Sequence, residues 1–413
     1  MSYRQARVVT GIGRREFIAM MAMIQALQAL AFAALLPALG VISIDLRVDE
    51  PNQRQFLISI FLISSGLSAL LPGSISDRYG RRPVLLSCMG LFVVINFASA
   101  FVRDFEMLLI LRGLLGVASS GLTVLPLAII RDRYEGAGMA KLQAIVAMLF
   151  MAIPTVAPSL GFVLMELAGW RAIFLAIAVS ALGGMTWYYL RLGETLPLEE
   201  RRVTRARELL GNVWLVVTTR ASIGYVIGMA LLFGGHFGFI NSSQQLIGEH
   251  FKAGSAYAVI FGAMAATMAL ASFANSVIVE RFGTRRIGHA AVFGYLAASL
   301  GQLWLASMPG ETLVQFALLM SASMCLLITV FINFTAIALQ PFGQLAGAAA
   351  SVQSFFRLVL GAGLGAVIGH AYDGTPWPLA MSLVAIGLLT LSLVLYSERG
   401  QLFGHEPSPH QAL

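Results

Sequence analysis

Unbroken apolar segments of about twenty residues recur from one end of the chain to the other, and this recurrence limits what it can fold into. Each is long enough, at about 1.5 Å per helical residue, to cross a hydrocarbon core of about 30 Å. Inside lipid every backbone N–H and C=O must find a partner within the chain, which leaves only helices and closed barrels. A barrel is written in segments of about ten residues that alternate apolar and polar, and no such pattern is present. The composition agrees with helices in a membrane. Hydrophobic residues make up 58% and charged residues 11%, against about a quarter charged in soluble domains.

The runs fall at 17–42, 55–75, 84–102, 107–130, 142–167 and 172–190, then at 223–247, 255–279, 287–308, 312–339, 347–371 and 377–396. The expected organisation is therefore a six-helix bundle over 1–190, a cytoplasmic linker over 191–220, and a second six-helix bundle with a short tail over 221–413. The first run follows a basic start, as a signal peptide would. It is too long for a signal's apolar core and lacks a small-residue cleavage pattern, so it is expected to remain as a span. Cys88 and Cys325 both sit inside apolar runs, where they read as small packing residues.

The chain carries a net charge of +7. In a soluble protein that excess would suggest nucleic acid as a partner, but here the arginines gather in the loops between runs. They are better read as a topology signal, with no nucleic-acid partner. Placing the N-terminus inside puts about twenty basic residues on that side and about five on the other. Both termini and the linker are thus expected to face the cytoplasm. The linker, with Arg201, Arg202, Arg205 and Arg207 against Glu199, Glu200 and Glu208, reads either as a solvated tether or as an amphipathic helix on anionic lipid.

One loop stands out. GSISDRYGRRPVLL, residues 73–86, packs Asp77, Arg78, Arg81 and Arg82 into a short turn, and ERFGTRR at 280–286 repeats the pattern 203 residues later. An acid–Arg–aromatic–Gly–basic turn at the same place in each half indicates a duplicated six-span unit, an arrangement common among secondary transporters.

At this turn the chain resembles the major facilitator superfamily, whose loop signature G-x-x-x-D-R-x-G-R-R is matched by Gly73, Asp77, Arg78, Gly80, Arg81 and Arg82. Arg112 and Gly116 resemble its fourth-span motif. Pro154, Pro158 and Gly161 resemble a worn form of its fifth-span antiporter motif. GWRAIF at 169–174, ETLP at 194–197, DGTPWP at 373–378 and LLPAL at 35–39 are similar to the bicyclomycin/chloramphenicol resistance-type drug:proton antiporters. The resemblance implies an all-α fold of twelve transmembrane helices in two pseudo-symmetric bundles that rock about a central cavity. It implies a functional monomer in the bacterial inner membrane that exports small amphipathic compounds in exchange for protons, with no cofactor. Asp77, by resemblance, helps latch the halves at the cytoplasmic face, with Glu280 and Arg281 as its echo. Three positions depart from the pattern: Ala33 stands where the group carries a span-1 acid, Leu115 where glutamine is usual, and Ala157 where glycine is usual.

The loop charges also suit topology alone, whereas its glycines suit close approach and a tight turn. Arg112 and Arg357 lie inside spans, where an arginine costs about 2.5–3.5 kcal/mol at the helix centre. They are expected to line a wet cavity or to hold partners such as backbone carbonyls. No acid falls at mid-span, so a positive cavity suited to anionic or polarised neutral substrates is one reading. His236, among Gly234, Gly235 and Gly238 that can loosen the helix, is either a proton carrier or a neutral, hydrogen-bonded histidine. Gln28, Asn241, Gln245 and Asn333 either join helices or touch substrate. Met20, Met21, Met23, Met148 and Met151 with Phe233, Phe237 and Phe239 suit an adaptable pocket or plain packing. The glycines of 361–369 read as helix packing, since no strand precedes them as a dinucleotide loop requires. No phosphate-binding loop, metal site or catalytic constellation is legible, so an enzyme is not expected. A carrier for a specific anionic metabolite and a transport-deficient sensor or scaffold remain as alternatives.

Overall fold

The computed structural model describes residues 12–48, 50–134, 136–201 and 206–403. The basic N-terminus, Arg202, Arg205 and the tail histidines lie outside them. The chain divides into two units, Met1–Glu208 and Leu209–Leu413.

In the first unit, α1 (Arg14–Ala33) continues through a 3₁₀ turn at Leu36–Ala38 into α2 (Leu39–Asp45). The turn is set by Pro37, which has no N–H to return to the carbonyl four residues back. A second break separates α3 (Phe56–Ser68) from α4 (Leu71–Tyr79), which are bent by 47° ahead of Pro72. Then follow α5 (Arg81–Ser99), α6 (Phe105–Arg133), α7 (Gly136–Ala168) and α8 (Arg171–Arg191). The unit boundary falls inside α9 (Ala206–Thr218). Leu210 and Trp214 on α9 are about 70% exposed.

The second unit holds α10 (Arg220–Ser243), which runs on as a π-turn at Gln244–His250, then α11 (Tyr257–Phe282), α12 (Thr284–Ala306), α13 (Leu313–Leu339), α14 (Ala346–His370) and α15 (Trp377–Ser397). Among the described residues nine helical segments are long and apolar enough to cross a bilayer, and the bent α3–α4 pair makes a tenth. Helix α7, with 33 residues, and α12, with 23, are also long enough, and complete a set of twelve. Thr284, Arg285, Arg286, His289 and Gln302 make α12 the less apolar.

Outward faces are greasy. Val94, Phe97, Phe101 and Leu190 in the first unit, and Leu270, Phe273, Trp304 and Leu318 in the second, are all exposed, as lipid contact requires and water would penalise. Between helices the contact is made by small residues. A Cβ on Gly234 or Gly238 of α10 would strike Leu364 or Ile368 of α14, and one on Gly361 or Gly365 of α14 would strike Phe233 or Phe237. Two G-x-x-x-G faces thus interlock, which brings the backbones close where lipid offers no hydrophobic drive. Beside His236, Gly234 and Gly238 serve this contact and Gly235 faces Leu383 and Ile386 of α15, and α10 stays unbroken rather than loosened there. Met20 and Met21 are fully buried in packing.

Candidate functional site

The charged turn is a built structure. Gly80, with φ of 99°, joins α4 to α5 in a conformation that side chains avoid. The first N–H groups of α5 have no intrahelical acceptor. Arg81 N and Arg82 N donate instead to the two oxygens of Glu194, at 2.9 and 3.2 Å, and Thr195 N and Leu196 N add two more bonds to the same carboxylate. The acceptor at this helix start is Glu194, while the neighbouring Asp77 pairs with Arg81. A Cβ on Gly80 would fall on that carboxylate.

With its N–H capped, the Arg81 side chain turns inward. It is 2% exposed and meets Asp132 at 2.9 Å, Asp77 at 2.7 Å and Ser76 Oγ at 2.6 Å. Asp77 therefore acts through Arg81. Arg82 lies over the Tyr189 ring and donates to its carbonyl, while Arg78 stacks over Tyr79. Gly73 has no close neighbour, since a Cβ there would meet Val124 at an ordinary 3.8 Å. Close approach accounts for Gly80 and not for Gly73.

The repeat in the second unit keeps the same scaffold with different chemistry. Gly283 has φ of 81°, and Arg281 stacks over Phe282; the side chain of Glu280 lies outside the described residues. Arg285 pairs at 2.9 Å with Glu398, as Glu194 meets the start of α5 in the first half. Tyr225 donates from its hydroxyl to Glu398 and stands 2.9 Å from His289 Nε2. Phe403 N donates to His289 Nδ1 at 3.1 Å. An accepting Nδ1 leaves the proton of a neutral imidazole on Nε2, so a chain runs from His289 through Tyr225 to Glu398.

The residues expected to line a cavity separate into two kinds. Arg112 is fully buried and donates to the carbonyls of Leu57 and Ala31 at 2.8 and 2.9 Å, with Phe61 beneath it. Ala31 lies in the last turn of α1, where carbonyls lose their helical partners. Arg112 thus fastens α6 to α1 and α3, and is not a cavity-lining group here. Gln28 donates to Ser65 Oγ at 2.8 Å, and Ser119 joins the same hydroxyl. Asn241 donates to the Gly365 carbonyl, joining α10 to α14. Asn333 donates to Asn275, joining α13 to α11. Gln245 is buried, and its carbonyl accepts from Tyr372. These four are less than about a tenth exposed.

Arg357 and His236 differ: both keep part of their surface open. The Arg357 guanidinium lies 5.2 Å from the Phe233 ring centre and 5.6 Å from that of Phe331. His236 lies beside Phe233, with its Nδ1 3.3 Å from the sulfur of Met324. In the first unit Pro158 and Gly161 are buried, and Gly161 abuts the Ala34 carbonyl at the α1 break so closely that a Cβ has no room. The side chain of Pro154 lies outside the described residues. Away from the spans, burial holds the Glu311 carboxyl above its ordinary range, although Gln302 donates to it at 2.9 Å.

Sequence reasoning missed Asp132, Tyr225, His289 and Glu398. The signal was available: acids ending the fourth, sixth and twelfth runs, with Glu194 and Glu398 204 residues apart. Among the described residues no group of three or more His, Cys, Asp or Glu is placed to hold a metal ion.

Two helical units whose polar side chains are joined inside each bundle, under lipid-facing exteriors, define a polytopic membrane transporter. The chain belongs to the Major Facilitator Superfamily, whose sequence model matches residues 21–366. It is 26% identical over 375 residues to the bicyclomycin resistance protein homolog of Haemophilus influenzae, covering 86% of this chain and 89% of that one. It is 26% identical over 382 residues to the multidrug resistance protein MdtL of Escherichia coli, covering 90% and 93%. The xylose transporter XylE from E. coli, in a partially occluded inward-open conformation, shares the fold at a TM-score of 0.69 and 13% identity, over 93% of this chain and 97% of that one.

Proposed function

We propose that this protein exports small amphipathic compounds across the bacterial inner membrane by proton antiport, with alternating access and both termini cytoplasmic. The observation that carries the reading is the near full-length similarity to relatives named for bicyclomycin and multidrug resistance. The turn at 73–86 supports it: Asp77, Arg81 and Asp132 with Glu194 make a rigid charged corner at the end of four helices, suited to holding one face closed. The linker and α9 join two bundles that move as bodies, and a single copy suffices.

With Ala33 apolar and buried, proton carriage falls to His236, which stands partly open inside the second bundle. One elementary charge crossing about 100 mV is worth about 2.3 kcal/mol, roughly a fifty-fold concentration ratio. The test is a pH gradient formed across inside-out vesicles containing the protein. Adding an exported compound should dissipate it; a transported compound that never moves protons refutes antiport. A second reading, a carrier selective for anions, is favoured by Arg357.

A further inference from the structure

Arg78 and Arg281, at helix ends, stack on aromatic rings, while the other arginines described above as drawn into each bundle, Arg357 apart, have hydrogen-bonding partners. Arg81 has two carboxylates and a hydroxyl, Arg112 has two carbonyls, and Arg285 has Glu398. Arg357, midway along α14, has only ring faces. Phe233 on α10 and Phe331 on α13 stack at 27° with centres 6.0 Å apart, and the guanidinium lies over both. Its Nε is buried with no hydrogen-bond partner. Among the described residues no carboxylate pairs with it.

Ring faces replace only part of what a guanidinium loses on leaving water, and a planar cation with five donors is left without an acceptor. The part of its surface that stays open leaves guanidinium donors accessible to an anion. We propose that Arg357, lying against Phe233 and Phe331, is the recognition site for amphipathic organic monoanions, an aromatic carboxylate being the type.

The chemistry selects that class from both sides. The guanidinium fork matches a carboxylate or sulfonate in two parallel hydrogen bonds. Phe233 and Phe331, with His236 beside Phe233 and Met324 against His236, offer an apolar aromatic and thioether wall to the rest of the molecule. A single guanidinium deep in an apolar bundle balances one negative charge; a dianion would enter with its second charge unpaired and desolvated. The proposal rests on the exporter reading and narrows the class of compound that such an exporter takes.

The test measures binding without any gradient. Full-length protein in lipid nanodiscs is titrated at neutral pH with radiolabelled 1-naphthoate and, separately, its uncharged analogue 1-naphthamide. Wild type should bind the acid at least about tenfold more tightly, the scale of a charge-assisted hydrogen bond. Arg357→Gln should abolish that preference while changing naphthamide affinity by less than about twofold. Equal affinity of wild type for acid and amide overturns the proposal, as does a preference that survives Arg357→Gln. If that variant does not elute as a single species, the wild-type comparison still decides, together with Arg357→Lys. Lysine retains the charge but not the fork, and should lower naphthoate affinity at least about threefold; unchanged affinity counts against the site. Preferred naphthoate binding without gradient-driven movement keeps the site and removes the exporter. Gradient-driven export without the preference does the reverse.

Discussion

Replacing Gly80 by alanine is the sharpest perturbation of the charged turn, and Gly73→Ala in the same loop is its control. At Gly80 two costs coincide. A φ of 99° with ψ of 156° lies where a side chain is strained by about 1–3 kcal/mol. The added Cβ would also displace the Glu194 carboxylate, which receives four backbone N–H groups. Loss of a helix cap costs about 0.5–2 kcal/mol. Together they remove about 1.5–5 kcal/mol from the first unit. At Gly73 the same methyl meets Val124 at 3.8 Å and costs almost nothing. Cys88 and Cys325, both partly buried, give a direct assay: thermal unfolding of purified protein followed by a thiol-reactive dye. A domain of 150–250 residues shifts by about 2–4 °C per kcal/mol. Gly80→Ala should therefore lower the midpoint by at least about 3 °C, and Gly73→Ala by less than about 2 °C. Equal shifts for the two would refute the assignment of Glu194 as the cap that Gly80 admits.

Asp132→Asn leaves Arg81 buried with the Ser76 hydroxyl and a single carboxylate, the partly exposed Asp77. Breaking a buried pair costs up to about 3–5 kcal/mol, so its midpoint should fall by more than that of an Arg81→Met/Asp132→Leu double variant; the reverse order excludes an uncompensated charge as the cause. Gly161→Ala forces α7 off the Ala34 carbonyl at the α1 break. It should lower the unfolding midpoint and slow transport, whereas unchanged values in both would show that this contact is not tight. Glu311 gives a pH effect of definite sign. Its carboxyl is raised in the folded state, so folding takes up a proton between the unfolded and folded values, and stability falls as pH rises through that interval. Glu311→Gln, whose amide oxygen still accepts from Gln302, should stabilise the protein at neutral pH and flatten this slope. An identical pH profile for both proteins contradicts it.

Much of the architecture could be read from the residues because lipid leaves the backbone few choices. Apolar length marked the spans, and the echo of 73–86 at 280–286 marked the duplication. The breaks in the first and second spans follow from Pro37 and Pro72. What the sequence did not reveal was which polar residues face inward to each other. Arg112 and Arg357 look alike as arginines in apolar runs, and only the fold shows Ala31 and Leu57 offering carbonyls to one while Phe233 and Phe331 lie against the other. The cap at the start of α5 is likewise hidden from local spacing, because the chain returns Glu194 to that position from more than 110 residues away. His289, Tyr225 and Glu398 come from three helix ends that no local spacing connects.

The account stands most directly on proton-coupled export. Purified protein in proteoliposomes, oriented by protease access to the linker, is loaded with a labelled amphipathic compound, and a pH gradient is imposed in each direction. Uphill movement of the compound against the proton flux is expected, with the direction reversing when the gradient is reversed and loss of coupling in His236→Gln. Movement that only equilibrates the compound, indifferent to the gradient, would contradict it.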